Sequence, residues 1–174
     1  MQLRGVLCLI GKAFATGDLQ VDAAADKLSK LDAALVNPES LMPRLGEYLR
    51  GSTRDRVKTM RAPDGSPWAP LSPLYQKSKR QNKDKILTLR GYLGNQIAVQ
   101  FEGRDTVPVG SNRVYARIHQ FGGVIKPRRA KALRIGGNLR GSAKIPARPF
   151  LGLSREDHQE VIAITKDWLE QQIG

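Results

Sequence analysis

Hydrophobic residues recur at helical spacing from the start of the chain. Within residues 1–15 they stand three or four positions apart, at Leu3, Val6, Leu7, Ile10 and Phe14. This spacing predicts an amphipathic helix. The stretch also loosely resembles a secretory signal, but Lys12 interrupts its apolar run, so we favour the helix. No apolar run of the chain is long enough to span a membrane.

A second helical pattern follows a break at Ala15-Thr16-Gly17. Its apolar positions are Val21, Ala24, Ala25, Leu28, Leu31 and Leu35. Because both patterns precede Asn37, we predict a helical segment over residues 1–36 and an α+β domain over residues 37–174.

A third helix is predicted to begin at Asn37-Pro38-Glu39, which combines an N-cap residue, a proline suited to the first turn and a carboxylate near the positive end of the helix dipole. It ends before Ala62-Pro63. Prolines at 67, 70 and 73 then prevent regular structure around Trp68, and a short helix is expected from Ser72 to about Gln81. A basic, polar loop over residues 77–85 follows.

The middle of the chain carries the signal for β-structure. After a helix predicted over residues 89–95, Ile97, Val99 and Phe101 alternate with less apolar residues, the period of a half-buried strand. Turn residues at 103–105 and a returning strand at 106–110 complete a predicted hairpin.

The last third is predicted to contain a helix over residues 114–121, a long extended arm over residues 124–148 and a C-terminal helix. Ser154 and Asp157 have the spacing of a capping box at the start of that helix. The expected fold is therefore α+β, with a small, mostly antiparallel sheet flanked by N- and C-terminal helices and a long basic extended arm.

The charge of the chain is strongly positive and unevenly distributed. The formal net charge is +13, and residues 44–148 hold 23 of the 29 basic side chains. Such a surplus favours a polyanionic neighbour, either nucleic acid or an acidic protein surface. The candidate contact residues lie in the arm: Lys126, Arg128, Arg129, Lys131, Arg134 and Arg140.

The sequence offers little for catalysis. His119 and His158 are the only histidines, and no Gly-x-Ser-x-Gly motif is present, so a catalytic triad is not expected. Glu156, Asp157, His158 and Glu160 could suggest a metal-dependent hydrolase, but acidic residues at a helix N-terminus explain them better. The single cysteine excludes an intramolecular disulfide.

Several short motifs resemble the phage virion morphogenesis family, the tail completion proteins of Mu-like and related long-tailed bacteriophages. The matching pieces are Asp64-Gly65 with Pro67-Trp68, Lys85-Ile86-Leu87, Val109-Gly110-Ser111-Asn112, Tyr115-Ala116, Ile118-His119-Gln120-Phe121-Gly122-Gly123, and Pro146-Ala147-Arg148-Pro149-Phe150-Leu151-Gly152 followed by Ser154. Their order and spacing cover roughly residues 40–170.

The resemblance implies a non-enzymatic virion protein of the tail or neck, assembled in the host cytoplasm and needing no cofactor. Such a protein forms or caps a ring, expected to contain six copies, at the head-proximal end of the tail tube during tail completion and head-tail joining. Its expected partners are sister copies, tail terminator or tail tube proteins and neck or connector proteins, with possible non-specific contact with packaged DNA and no membrane.

Rigid aromatic residues beside prolines suit subunit contacts, because they lose little conformational entropy on docking. The candidates are Trp68, Tyr75, Tyr115, Phe121, Arg148 and Phe150. Each aromatic could instead pack the core of its own chain. The main alternative function is a non-specific DNA-binding protein that uses the basic middle region, and a metal-dependent hydrolase is a weaker one.

Overall fold

The computed structural model describes residues 22–128, 130–135 and 137–173. The amphipathic helix predicted within residues 1–15 and the candidate contact residue Arg129 lie outside these ranges. The division of the chain at residue 36 stays a prediction.

Six α-helices and one short 3-10 helix make up the helical part of the described chain. They are α1 (22–36), the 3-10 helix Pro38–Ser40, α2 (Met42–Thr59), α3 (Pro73–Ser78), α4 (Tyr92–Asn95), α5 (Ala116–Phe121) and α6 (Arg155–Ile173). None of these helices is both long and apolar enough to cross a membrane.

All strand pairs of the described chain are antiparallel. The strands are β1 (Ala98–Val99), β2 (Val109–Gly110), β3 (Gly123–Ile125), β4 (Leu133–Ile135), β5 (Asn138–Arg140) and β6 (Ala143–Ile145). β1 pairs with β2, β3 with β6 and β4 with β5, so three separate two-stranded ribbons form in place of one sheet. The α+β prediction, with helices at both ends, is confirmed.

The predicted arm folds back on itself. The β4–β5 hairpin lies inside the longer connection between β3 and β6, so the described residues between 123 and 145 form two nested ribbons. We call residues 123–145 the arm.

Four helices begin or end away from their predicted limits, and one of them, α5, begins at Ala116 instead of residue 114. The third helix starts as the 3-10 turn and restarts at Met42, because Pro43 lacks the N–H that a continuous α-helix would need there. α3 ends at Ser78, before the extended residue Lys79. α4 starts only after Gly91, whose φ of 78° is incompatible with a right-handed helix.

The ammonium group of Lys79 explains the early end of α3. Lys79 is buried, and Nζ donates hydrogen bonds to the carbonyls of Asn82 at 2.5 Å, Lys85 at 2.7 Å and Thr88 at 2.9 Å. Burial lowers the pKa of Lys79, and Asp84 opposes that shift. The bonds require the chain to curl around one cation, which shapes the basic loop.

Two hydrophobic clusters form the core of the described part of the chain. The larger contains Val57, Ala62, Trp68, Leu93, Ile97, Ala116 and Phe150. In the smaller, Ala34 of α1 packs against Leu41 and Trp168, whose indole N–H donates to Ser40 Oγ at 2.8 Å. Only part of the predicted stripe of α1 is covered, since Leu28 and Leu35 are exposed.

A buried ion pair joins α2 to α6. The guanidinium group of Arg56 donates to Asp157 Oδ2 at 2.5 Å and to the carbonyl of Phe150 at 2.9 Å. Asp157 also accepts hydrogen bonds from Tyr48, Ser52 and the backbone N–H of Ser154. The return bond from Asp157 N to Ser154 Oγ, at 3.1 Å, completes the predicted capping box.

The network changes the ionisation of both acidic groups in it. Burial alone would raise the pKa of Asp157, but the hydrogen bonds from Ser52 and Ser154 and the charge of Arg56 outweigh it and lower the pKa to about 2. Burial, together with the hydrogen bond to Asp157, raises the pKa of Tyr48 to about 12.

Replacing Asp157 with alanine is expected to lower the free energy of unfolding by about 3–5 kcal/mol, because Arg56 would remain buried without its counter-ion. Urea denaturation followed by circular dichroism measures the change. Asp32→Ala, which removes an exposed helical carboxylate, is the control and should change the free energy by less than about 0.5 kcal/mol. Equal effects of the two substitutions would contradict the assigned role.

The difference in the free energy of unfolding between the Asp157→Ala variant and the parent protein should also depend on pH. Asp157 binds its proton less readily in the folded chain than in the unfolded chain, whose carboxyl pKa is 3.8. Its contribution is therefore fully present above that value and decreases as the pH falls towards about 2.

Candidate interaction surfaces

The segment that precedes α6 is held against α5 by the side-chain amide of Gln120. Its Oε1 accepts hydrogen bonds from the backbone N–H groups of Phe150 and Leu151, both at 3.0 Å, and its Nε2 donates to the carbonyl of Leu151 at 2.9 Å. The carbonyl of His119 accepts from the backbone N–H of Arg148 at 2.7 Å. We call residues 119–122 and 145–152 together the clasp.

Gly122 brings the two halves of the clasp into backbone contact. Its φ is +70°, and a Cβ atom at this position would lie 2.7 Å from the backbone nitrogen of Ala147 and 3.0 Å from the carbonyl oxygen of Ile145. Both the torsion and the space therefore require glycine. β3 begins at the next residue, so the clasp also fixes the base of the arm.

Trp68 and Arg148 attach the clasp to the proline-rich block. The indole N–H of Trp68 donates to the carbonyl of Pro149 at 2.7 Å. In the opposite direction, Arg148 Nε donates to the carbonyl of Ala69 at 2.8 Å and Nη2 to that of Pro70 at 2.9 Å. These bonds hold two irregular segments together, without a helix or sheet to do so.

Two residues of the clasp, His119 and Arg148, lie in a desolvated environment. Burial lowers the pKa of Arg148. Its hydrogen bonds are to neutral carbonyls, so no carboxylate of the described chain balances its charge there. Burial, and then the charge of Arg148, lowers the pKa of His119, whose Nδ1 atom is buried without a hydrogen-bond partner. The environment therefore favours the neutral imidazole.

Three of the six interface candidates lie inside their own chain. Trp68 is 5% exposed, Phe150 is 0% exposed, and Arg148 is 5% exposed. The core alternative therefore applies to Trp68 and Phe150, and Arg148 acts as an internal clamp. Prolines and aromatics in these motifs predicted rigidity, but they did not distinguish an internal framework from an external surface.

The other three candidates reach the surface. Tyr75 and Tyr115 are each 37% exposed, and Phe121 is 74% exposed. The ring of Tyr115 meets the His119 ring edge-on, with centroids 6.0 Å apart. Phe121 is the last residue of α5, directly before the glycines that lead into the arm. These three side chains are available for contact with a neighbour.

The described basic candidates of the arm are all solvent-exposed: Lys126, Arg128, Lys131, Arg134 and Arg140. None of them forms a salt bridge with another described residue. The arm therefore presents positive charge that the described part of its own chain does not neutralise.

The acidic group at the start of α6 is divided between two roles. Asp157 is buried in its bonds to Arg56, Ser52 and Ser154, whereas Glu156, His158 and Glu160 are exposed. The pKa of Glu156 is lowered by a hydrogen bond to its own backbone N–H and by Ser154. In the described ranges no three His, Cys, Asp or Glu side chains are placed to hold a metal ion.

Three residues that organise these surfaces had no role predicted from the sequence: Arg56, Lys79 and Gln120. Gln120 stands within one of the quoted motifs, so its position was available as a signal. Arg56 and Lys79 are cations among many others in the sequence, and only the fold shows that they are buried.

The comparisons with known proteins agree on one family. The model of the phage virion morphogenesis family matches residues 19–170. The putative capsid assembly protein G of Escherichia phage Mu is 28% identical over 151 residues, covering 83% of this chain and 88% of the relative. The tail completion protein S of Escherichia phage P2 is 30% identical over 141 residues, covering 75% of this chain and 83% of the relative. No solved structure matches.

Replacing Gly122 with alanine is expected to lower the free energy of unfolding by roughly 2 kcal/mol or more, because the new Cβ would strain the backbone and separate the halves of the clasp. Gly141→Ala is the matched control, since a Cβ atom there meets no atom within 4 Å. Thermal unfolding of both variants measures the difference. An unchanged Tm for Gly122→Ala would show that the clasp adjusts without cost.

Proposed function

The chain belongs to the phage virion morphogenesis family, and from this premise we propose that it forms or caps a ring at the head-proximal end of the tail tube. There it would complete the tail and prepare it to join the head. A structural role in assembling the phage tail is what family membership itself supports. The match over residues 19–170 is the observation that carries the proposal.

The names of the two relatives support a position between tail and head. One is called a tail completion protein and the other a putative capsid assembly protein. A component at the junction would contact both structures, so the two names are compatible with one place in the particle. The proposed partners are tail terminator or tail tube proteins on one side and neck or connector proteins on the other.

Self-association into a ring is proposed from the exposed surfaces, and six copies is the number that the family resemblance implies. Phe121 lies beside the base of the arm, and the arm itself carries positive charge that the described residues leave unneutralised. An arm that reaches from each copy to the next makes a heterologous contact, which generates a ring where the rotation closes. We propose a non-enzymatic component that requires no cofactor and is assembled in the host cytoplasm.

Non-specific DNA binding is the second candidate function. The exposed lysines and arginines of the arm favour it, because phosphate contacts need only accessible cations. Binding of this kind weakens steeply as the salt concentration rises. A ring at the neck could also place these side chains beside the passing genome.

Labelling should locate the protein at the head-proximal end of the tail. The experiment is electron microscopy of phage that carries an epitope on the exposed turn at residues 103–105, decorated with antibody fragments. An identical epitope on the major tail tube protein should label the whole tube and serves as the control. Label at the distal tip, or none on intact particles, would contradict the proposed place.

Removing most of the arm should abolish rings while the domain still folds. Residues 127–141 are replaced by Asn-Gly, which joins Lys126 to Ser142 as a two-residue hairpin loop next to the Ile125–Ala143 pair. Light scattering and electron microscopy of the purified protein should then show monomers, with the circular dichroism of a folded chain.

The control for this variant shortens a different hairpin. Replacing residues 103–105 with Asn-Gly shortens the turn beside the Glu102–Thr106 bridge and leaves the arm intact. That variant should form rings like the parent protein. Rings of normal size from the arm-deleted protein would show that the arm is not the contact between copies.

A further inference from the structure

We propose that the arm of one copy docks on an acidic stripe along α6 of a second copy. This inference rests on the proposed self-association and names the surface that receives the arm. The stripe consists of Glu156, Glu160, Ala163, Asp167 and Glu170, and we call it the acidic stripe.

Each ribbon of the arm pairs an exposed aliphatic residue with a cation. Residues opposite each other in an antiparallel ribbon point to the same side. Val124 pairs with Lys144 and Leu139 pairs with Arg134. Val124 is 57% exposed and Leu139 is 72% exposed, and both cations are exposed as well. The arm therefore offers two mixed apolar and positive contact points.

The acidic stripe has the complementary character. Its members are spaced alternately four and three residues apart, so they share one side of the helix, and all five are exposed. Its four carboxylates form no salt bridge with any described residue. Like charges four residues apart repel each other, so a neighbouring cationic surface would relieve a cost that the isolated helix bears.

The dimensions of the two surfaces agree. From Glu156 to Glu170 the stripe is roughly 21 Å long at the rise of an α-helix. At about 3.3 Å per residue, each three-residue ribbon of the arm is roughly 10 Å long. The two ribbons together are therefore about as long as the stripe.

The aliphatic half of the contact points favours a protein surface over nucleic acid. Val124 and Leu139 have no apolar partner on a phosphate backbone, whereas the stripe has Ala163 among its carboxylates. An interface that joins apolar and ionic contacts is typical of specific protein association.

Docking between copies is favoured over docking within one copy. The hydrogen bonds of the clasp fix both ends of the arm at its base, and in the described chain no strand of the arm makes an extensive contact with α6. A contact from the arm of one copy to α6 of the next is heterologous, which is the kind of contact that builds rings.

Charge reversal within one ribbon tests the proposal first. Arg134→Glu changes the residue paired with exposed Leu139, and Arg140→Glu makes the same charge change on the opposite face of the same ribbon. Sedimentation equilibrium should show that Arg134→Glu raises the protein concentration at half-assembly about tenfold, while Arg140→Glu raises it less than threefold.

A charge swap provides the decisive test. Arg134→Glu with Lys144→Glu should abolish assembly, and so should Glu160→Lys with Asp167→Lys, while each variant keeps the Tm of the folded domain. Mixing the two double variants should restore hetero-assemblies, because each reversed arm then meets a reversed stripe.

The outcomes distinguish this inference from the proposed function. If the stripe variants assemble as the parent protein does, the proposed docking site is wrong and the proposal of a ring is unaffected. Loss of DNA binding in the arm variant, with unaltered assembly, identifies DNA as the partner of the arm. If the parent protein stays monomeric both alone and on tail tubes, both the docking site and the ring are wrong.

Discussion

The buried carboxylate of Asp157 is the interaction on which the other contacts of the domain depend. It caps α6, neutralises Arg56 and accepts hydrogen bonds from Tyr48 and Ser52 of α2. Arg56 in turn donates to the carbonyl of Phe150. Since the backbone of Phe150 is bound to Gln120, one charged group connects α2, α6 and the clasp.

The residues held by these contacts form an internal framework, whereas the arm forms an external surface. Trp68, Arg148 and Phe150 bind backbone or core inside the chain, so they fix the base of the arm. The arm itself is exposed and pairs mainly with itself. A rigid base limits the directions in which a charged arm can point, and this restriction lowers the conformational entropy lost when it docks.

The sequence was sufficient to predict the described α-helices and the first hairpin in their order, but not the four strands of the arm or the partners of the buried polar groups. The hairpin at residues 97–110 followed from alternation, and the start of α6 followed from Ser154 and Asp157. The prediction of one small sheet was less accurate, because the glycines and prolines between the strands do not reveal which strands pair. Burial of Arg56 and Lys79 could not be predicted. Arg56 depends on a carboxylate distant in sequence, and Lys79 depends on carbonyls that only the folded loop brings together.

The distribution of charge has a consequence for which contacts between copies would form. A surplus of positive charge on the arm and of negative charge on the acidic stripe keeps like surfaces of two free copies apart, yet attracts unlike surfaces. Exposed pairs of opposite charge contribute little individually, so such a contact gains strength from several pairs acting together and from the apolar residues between them. An arm held by one base can supply those pairs simultaneously. Assembly would then favour complete, closed contacts over partial ones, as a ring requires.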